Sequence, residues 1–296
     1  MSDNKNANSI QIARKYLDSL VVEGRILGAV HPTSQVTILG KEFETPIMTA
    51  ALSHLKPGLA GYAEGAKAAG ALDSVGMCEE PEMAQVLATG ASVIEIIKPY
   101  ADKEAILSRI RFAEANGAFG VGMDVEHSVN SDDDADSMVG PYAMKLPTLE
   151  ELKEYVASTN LPFFFKGALS VQDALTAREI GAAGIILSHH NSLMKWAIPP
   201  YALLKDIRAA VGDDLILIAD GGIEDGFDAF KVLALGADLV SIGKPFIAPY
   251  NTDGVEGVRQ TIETMTKELK ALMVRTGSKD VKSIDPSVIH EAWWLK

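Results

Sequence analysis

Eight short apolar runs between residues 46 and 243, separated by stretches of helical periodicity, limit this chain's possible folds more than any other feature. They are PIMTAA (46–51), ALDSVG (71–76), SVIEIIK (92–98), FGVGMDV (119–125), LPFFFKG (161–167), GIILS (184–188), LILIADG (215–221) and DLVSIG (238–243). Near-continuous hydrophobicity suits strands buried on both faces, and such strands belong to parallel sheets covered by helices. The helical candidates between and after them are 103–116, 148–158, 171–180, 201–211, 226–235 and 254–275. Four links pass through a helix-ending glycine and alanine, at 69–71, 116–118, 181–183 and 236–238. Glycine at that position takes the left-handed conformation that turns a helix into the next strand. Eight βα units in 296 residues predict an α/β fold of the (β/α)8 TIM-barrel type. An open doubly wound sheet is the arrangement that periodicity leaves in competition. Residues 1–44 are expected to add a short N-terminal helical extension, with a helix near 9–23 and a hairpin at 36–45 forming a lid over the barrel bottom. Residues 45–296 form the barrel, in a single-domain chain overall.

Charge and cysteine content narrow the function classes. A net charge of −13 argues against sequence-independent binding to nucleic acid or to an anionic membrane. A single cysteine, Cys78, excludes an intrachain disulfide and suits a cytoplasmic setting. The N-terminus shows no cationic segment followed by an apolar run, so no secretory signal is expected. The acidic stretch NSDDDAD (130–136) lacks the glycine turn and distal glutamate of a calcium loop and reads as a solvated link. The pair Trp293-Trp294 is expected to dock the tail on the barrel or on a neighbouring subunit.

In a parallel barrel the chemistry gathers at the C-terminal strand ends. Those ends carry Ser53 and His54, Ser74 and Met77, Lys98 and Tyr100, Asp124, Glu126 and His127, Lys166, Ser188, His189 and His190, then Asp220-Gly-Gly and Gly243-Lys-Pro. The strand bodies are almost purely apolar, an asymmetry an enzyme needs and a structural protein does not. The glycines after the seventh and eighth runs would bring bare backbone N–H groups to an anion, with Lys244 as the cation, a phosphate site typical of this fold. Asp124 and His190 close the fourth and sixth runs. A carboxylate on one imidazole nitrogen would prepare the other as a general base. Alternation along the sixth run predicts that only one of His189 and His190 faces the barrel mouth.

The segments 161–191 and 215–245, LPFFFKGALSVQDALTAREIGAAGIILSHHN and LILIADGGIEDGFDAFKVLALGADLVSIGKP, resemble the FMN-dependent α-hydroxy-acid dehydrogenase/oxidase family, which includes glycolate and lactate oxidases. TILGKEFETPIMTAA and KPYADKEA also look like that family, so the resemblance covers most of the chain. It implies FMN as cofactor, His190 as the base with Asp124 as its partner, Tyr100 touching a small-molecule substrate, and Lys166 facing flavin N1 and the C2 carbonyl. It places Ser74 at the ring's polar edge and Asp220, Gly221, Gly222, Gly243 and Lys244 at the ribityl phosphate. Ala50, Ala51, Lys98 and Ser188 complete the implied cofactor-binding set. A homo-oligomer, tetramer or larger, is implied in the same way.

Several positions depart from the family pattern. Leu193 stands where an arginine clamps the substrate carboxylate, and leucine cannot form that pair. Lys98 replaces a glutamine, Gly122 a threonine, Ala51 a proline, Glu224-Asp225 a pair of arginines and Lys244 an arginine. Other readings therefore stay open: an FMN-dependent isomerase, a metal-dependent lyase or hydrolase using His54, His127, His189 and His190, or a non-catalytic phosphate-binding barrel. No metal is assigned, because adjacent strand histidines point to opposite faces.

Overall fold

The structure, a computed structural model, describes residues 8–130, 142–190 and 193–292. Most of the acidic stretch, Asn191, Ser192 and the Trp293-Trp294 pair lie outside the described residues. The chain runs α1 (Ser9–Asp18), β1 (Leu20–Val22), β2 (Val36–Ile38), β3 (Lys41–Phe43), β4 (Ile47–Thr49), α2 (Leu59–Ala68), β5 (Asp73–Val75), α3 (Glu80–Ala88) and β6 (Val93–Ile97). It continues through α4 (Lys103–Ala115), β7 (Gly120–Asp124), α5 (Leu149–Ala157), β8 (Phe163–Lys166), α6 (Val171–Glu179), β9 (Gly184–Leu187) and α7 (Leu204–Val211). It ends with β10 (Ile216–Asp220), α8 (Gly226–Ala234), β11 (Leu239–Ile242), α9 (Lys244–Arg275) and β12 (Ile289–Glu291).

Strands β4 to β11 form one eight-stranded sheet in the order β4-β11-β10-β9-β8-β7-β6-β5, and every pairing within it is parallel. The two ends of that order meet where Leu52 bridges Val75 and Gly76 N donates to Leu52 O at 2.9 Å. Ser74 Oγ also donates to Thr49 O at 2.7 Å, so the sheet curls into a barrel. Each expected strand is present, and the open-sheet alternative falls away.

Local sequence explains the alternation of elements. Asp102, Thr148, Ser170 and Asp225 each cap the following helix through a side-chain oxygen, satisfying N–H groups that have no intrahelical acceptor. Gly70, Gly117, Gly181 and Gly236, the four helix-ending glycines, all have φ between 66 and 117. Inside the barrel, Phe164 is fully buried and paired in register with Gly122 on one side and Gly184 on the other. A Cβ on Gly122 would lie 2.7 Å from Phe164 O, and one on Gly184 2.8 Å from Phe164 Cε1. One large ring between two bare positions thus fills the interior, which accounts for the glycine at 122.

The extension does not act as one lid. The hairpin β2–β3 packs at the N-terminal ends of the strands, with Glu44 N bonded to Gly70 O and Phe43 edge-on to Phe119 at 5.7 Å. Helix α1 lies at the opposite end, where Arg14 Nη1 donates to Gly222 O at 3.0 Å and Ser9 Oγ donates to Met194 O at 2.5 Å. The helix also ends at Asp18, earlier than expected, because Leu20–Val22 pairs antiparallel with β12. Helix α9 begins at Lys244 and not near 254, with Gly254 (φ 58) breaking its regularity.

Candidate active site

Strand register builds the reactive corner. Asp124 is paired with Lys166, two residues beyond the Gly122–Phe164 pair and therefore on the same inner face. Lys98, one residue past β6, falls beside Asp124 in the same layer. The apolar plug is thus capped by a layer of charge at the C-terminal barrel mouth. Asp124 is 1% exposed, Lys166 4% and Lys98 6%, so these charges must compensate one another.

They do so on one oxygen. Asp124 Oδ2 lies 2.9 Å from Lys98 Nζ, 3.2 Å from Lys166 Nζ and 2.9 Å from His190 Nδ1. Burial alone would raise the Asp124 pKa, but Lys166, Lys98 and His190 hold it well below the usual carboxylate range. Burial and then the Lys166 charge push His190 down to about 4, with Asp124 opposing them. The imidazole is therefore neutral at physiological pH. Burial works against the Lys166 ammonium, yet Asp124, Asp220 and Glu126 raise its pKa and keep it charged. Glu126, two residues after Asp124, is pushed up to about 7, chiefly by burial.

His127 enters this corner because Val125–Ser128 winds a single 3-10 turn after β7. Its Nε2 lies 2.7 Å from His190 Nε2, with the rings at 83° and centroids 4.0 Å apart. Asp124, His127 and His190 form a cluster of metal-ligand types. Two lysine ammonium groups already share the Asp124 oxygen such an ion would need, so the local charge opposes a divalent cation.

The corner opens on a cavity of about 1020 Å³ that reaches the glycine loops after β10 and β11. Its walls include Ala50, Ala51, Lys98, His127, Lys166, Ser188, His189 and His190 near the corner, and Gly221, Gly222, Glu224, Gly243 and Lys244 at the far end. Ser188 Oγ donates to Asp220 Oδ2 at 2.9 Å and accepts from His190 N at 3.2 Å, tying the two ends together. Gly221 (φ 92) and Gly222 (φ 71) hold backbone that a side chain would strain. Lys244 opens α9, and a helix N-terminus favours an anion.

Some expected residues sit elsewhere. The cavity lining does not include Tyr100, whose ring packs on Tyr142 with centroids 5.1 Å apart. Nor does it include Ser74, whose hydroxyl is spent on the Thr49 carbonyl. Leu193 lies outside the lining too. Asp220 lines the cavity, but its carboxylate repels a phosphate and suits hydroxyl donors instead. Both His189 and His190 face the cavity, against the expectation of one. Strand β9 ends at Leu187 and His190 takes φ 32, so strand alternation no longer governs the pair. Neither ring nitrogen of His189 has a hydrogen-bond partner among the described residues. His127, Glu224 and Ile10 of α1 also line the cavity, although sequence reasoning gave them no part in a flavin site. For His127 the signal was its place three residues after Asp124, one helical turn away.

These walls fit a flavin mononucleotide. The volume accommodates a cofactor and a small substrate, the alanines Ala50 and Ala51 leave an apolar wall for a planar ring, and the double glycine with Lys244 suits a phosphate. A family model describing FMN-dependent dehydrogenases matches residues 125–291. The chain is 30% identical to an L-lactate oxidase of Lactobacillus jensenii, over 88% of this chain and 72% of that protein. It is 29% identical to the glycolate oxidase of Spinacia oleracea, over 87% and 80% respectively. A crystal structure of mandelate oxidase superposes with a TM-score of 0.87 at 25% identity, covering 97% of this chain and 90% of the other. A mandelate oxidase variant with a monooxide FMN adduct gives 0.86 at 26%, covering 97% and 92%. On these matches, and on a cavity with the shape and donors for its cofactor, the chain belongs to the FMN-dependent dehydrogenase family and is an FMN-dependent oxidoreductase.

Proposed function

We propose that this chain oxidises a small 2-hydroxy acid, or a closely related hydroxylated substrate, to the carbonyl compound, with His190 as the base. The observation that carries this reading is the 2.9 Å contact between Asp124 Oδ2 and His190 Nδ1 at the floor of the cavity. Nδ1 can donate to Asp124 or accept from Lys166 Nζ at 2.7 Å, but not both. The charge-assisted bond to an ionised carboxylate is the stronger, and Lys166 keeps Asp124 as its own acceptor. That choice leaves Nε2 as the basic nitrogen. Nε2 takes the substrate hydroxyl proton, and Asp124 stabilises the resulting imidazolium. Bound FMN supplies a two-electron acceptor for the hydride equivalent.

Gly221, Gly222, Gly243 and Lys244 would hold the phosphate, Asp220 the ribityl hydroxyls, and Ala50, Ala51 and Lys166 the ring, with Lys166 balancing negative charge on the reduced cofactor. Lys98 and Lys166 set against Asp124 leave the corner with a surplus cation, which suits an anionic substrate where Leu193 cannot provide one. Ser74 and Tyr100 would act from behind the wall. The oxidases among the relatives favour net oxidation over isomerisation, which would return the electrons to the product. A homo-oligomeric, cytoplasmic enzyme, as the resemblance and the single cysteine imply, completes the proposal; light scattering and cell fractionation test those parts. The central test is an anaerobic titration of the flavin-loaded protein with a panel of 2-hydroxy acids. Stoichiometric bleaching of the flavin by at least one supports the reading, and turnover without bleaching sinks it.

A further inference from the structure

The nitrogen that should receive the substrate proton is not open in this structure. His190 Nε2 lies 2.7 Å from His127 Nε2, closer than two facing lone pairs or two facing N–H groups tolerate. One proton must therefore lie between them. With His190 Nδ1–H turned to Asp124, that proton belongs to His127 Nε2 and points at the His190 lone pair.

We propose that His127 is a positioning residue that caps the catalytic base, sharing one proton with His190 and yielding its place only to a substrate hydroxyl. This rests on the assignment of His190 as the base. When substrate enters, the His127 ring moves off His190 Nε2 and keeps its own proton. The substrate O–H bond then breaks toward Nε2, while the carbon-bound hydrogen leaves with both bonding electrons to the bound FMN. His190 now carries a proton on each nitrogen, and two N–H groups cannot face each other at the resting separation. The cap therefore closes again only after that proton has left, which couples resetting of the site to proton release.

Capping also affects titration. A bond donated to Nε2 stabilises the neutral form of His190, so the cap resists protonation of the base. Among the described residues, the ionisable groups around the pair are Lys98 beside β6, Asp124 on β7, Glu126 on the same turn as His127, Lys166 on β8, His189 beyond β9 and Asp220 on β10. The lysines act with the cap and the carboxylates against it, and both sets stay in place when His127 alone is changed.

The test uses the flavin-loaded protein in two ways. In His127→Phe, which keeps a ring but no donor, the acid limb of kcat/KM should rise by about one pH unit. In His127→Gln, whose amide can still donate to Nε2, it should stay near the wild-type position. An acid limb that is the same in the Phe variant as in the wild type would overturn the proposal. Should the Phe variant fail to fold, the wild type decides by itself. With ¹⁵N-labelled histidine at neutral pH, one strongly downfield imidazole proton should correlate with the Nε2 atoms of both His127 and His190. Its absence overturns the pairing whatever the kinetics show. Failure of the underlying assignment looks different, because His190→Ala would then keep its turnover while the shared proton was still seen in the wild type.

Discussion

The two ends of the cavity are built on opposite plans. At the corner of β6, β7 and β8 the working atoms are side chains, with two buried lysine ammonium groups and the His190 imidazole converging on a single carboxylate oxygen. At the far end, after β10 and β11, the chain offers glycine backbone and the first turn of a helix, with Lys244 the only lysine or arginine among the described residues that line it. The first arrangement cannot lose Asp124 without stranding two ammonium groups in a low-dielectric interior. The second tolerates exchange, because backbone N–H groups remain when the neighbouring side chains change. That difference fits Glu224 and Lys244 standing in place of family arginines at the far end, whereas at the corner Asp124, Lys166 and His190 keep their identities and the one exchange, Lys98 for a glutamine, adds a charge that Asp124 offsets.

Breaking the corner should cost most. Asp124→Asn leaves Lys98 and Lys166 without their shared counter-charge and His190 without its partner, so turnover should fall by about 10²–10⁴-fold and stability by about 3–5 kcal/mol. Steady-state kinetics and chemical denaturation measure the two losses; a stable variant would show that the charges are solvated. Lys244→Ala removes that cation from the cradle and should weaken FMN binding about tenfold, roughly 1.4 kcal/mol, read by quenching of flavin fluorescence. If the affinity were unchanged, backbone groups alone would hold the phosphate. Glu224→Arg should tighten FMN only about threefold, since an exposed charge pair is worth well under 1 kcal/mol. A larger gain would mean that the cradle is less solvated than its exposure implies.

Acid should also separate the regions. His190 is held down at about 4, against about 6.5 in an unfolded chain. Between those values the unfolded state binds the extra proton, so the contribution of His190 to stability falls as pH drops from about 6.5 to 4. Asp124, depressed below the ordinary carboxylate range, loses its contribution at still lower pH. Glu126 and Asp73, each raised to about 7 mainly by burial, act in the opposite sense and lose stability as pH rises toward that value. The comparison must therefore be the wild type against His190→Ala. As pH falls from about 6.5 to 4, the melting temperature of the wild type should drop relative to that of the variant, and parallel curves would contradict the neutral imidazole.

The barrel was legible because its signals are local. Apolar runs, helix caps and helix-ending glycines each act within a few residues, and all eight strands followed from them. Lys166 and Asp124 could be read from strand ends, since register carries side chains to the inner face. Three features depended on where the chain goes next. His189 faces the cavity because the backbone leaves the strand at Leu187. His127 meets His190 through a tight turn joined to a different strand. Helix α1 reaches Gly222 in the loop after β10, and not the barrel bottom, because β1 pairs with β12 some 270 residues later. Tyr100, which the resemblance placed against substrate, packs its ring on Tyr142, a contact that no local signal announced.

The account stands or falls on the proton that His190 is proposed to take. Anaerobic stopped-flow mixing of a bleaching 2-hydroxy acid with the flavin-loaded wild type and with flavin-loaded His190→Ala isolates that step. The wild type should bleach in a single phase, and the variant, with its flavin still bound, about 10²–10⁴-fold more slowly. Equal bleaching rates in the two proteins would contradict the account.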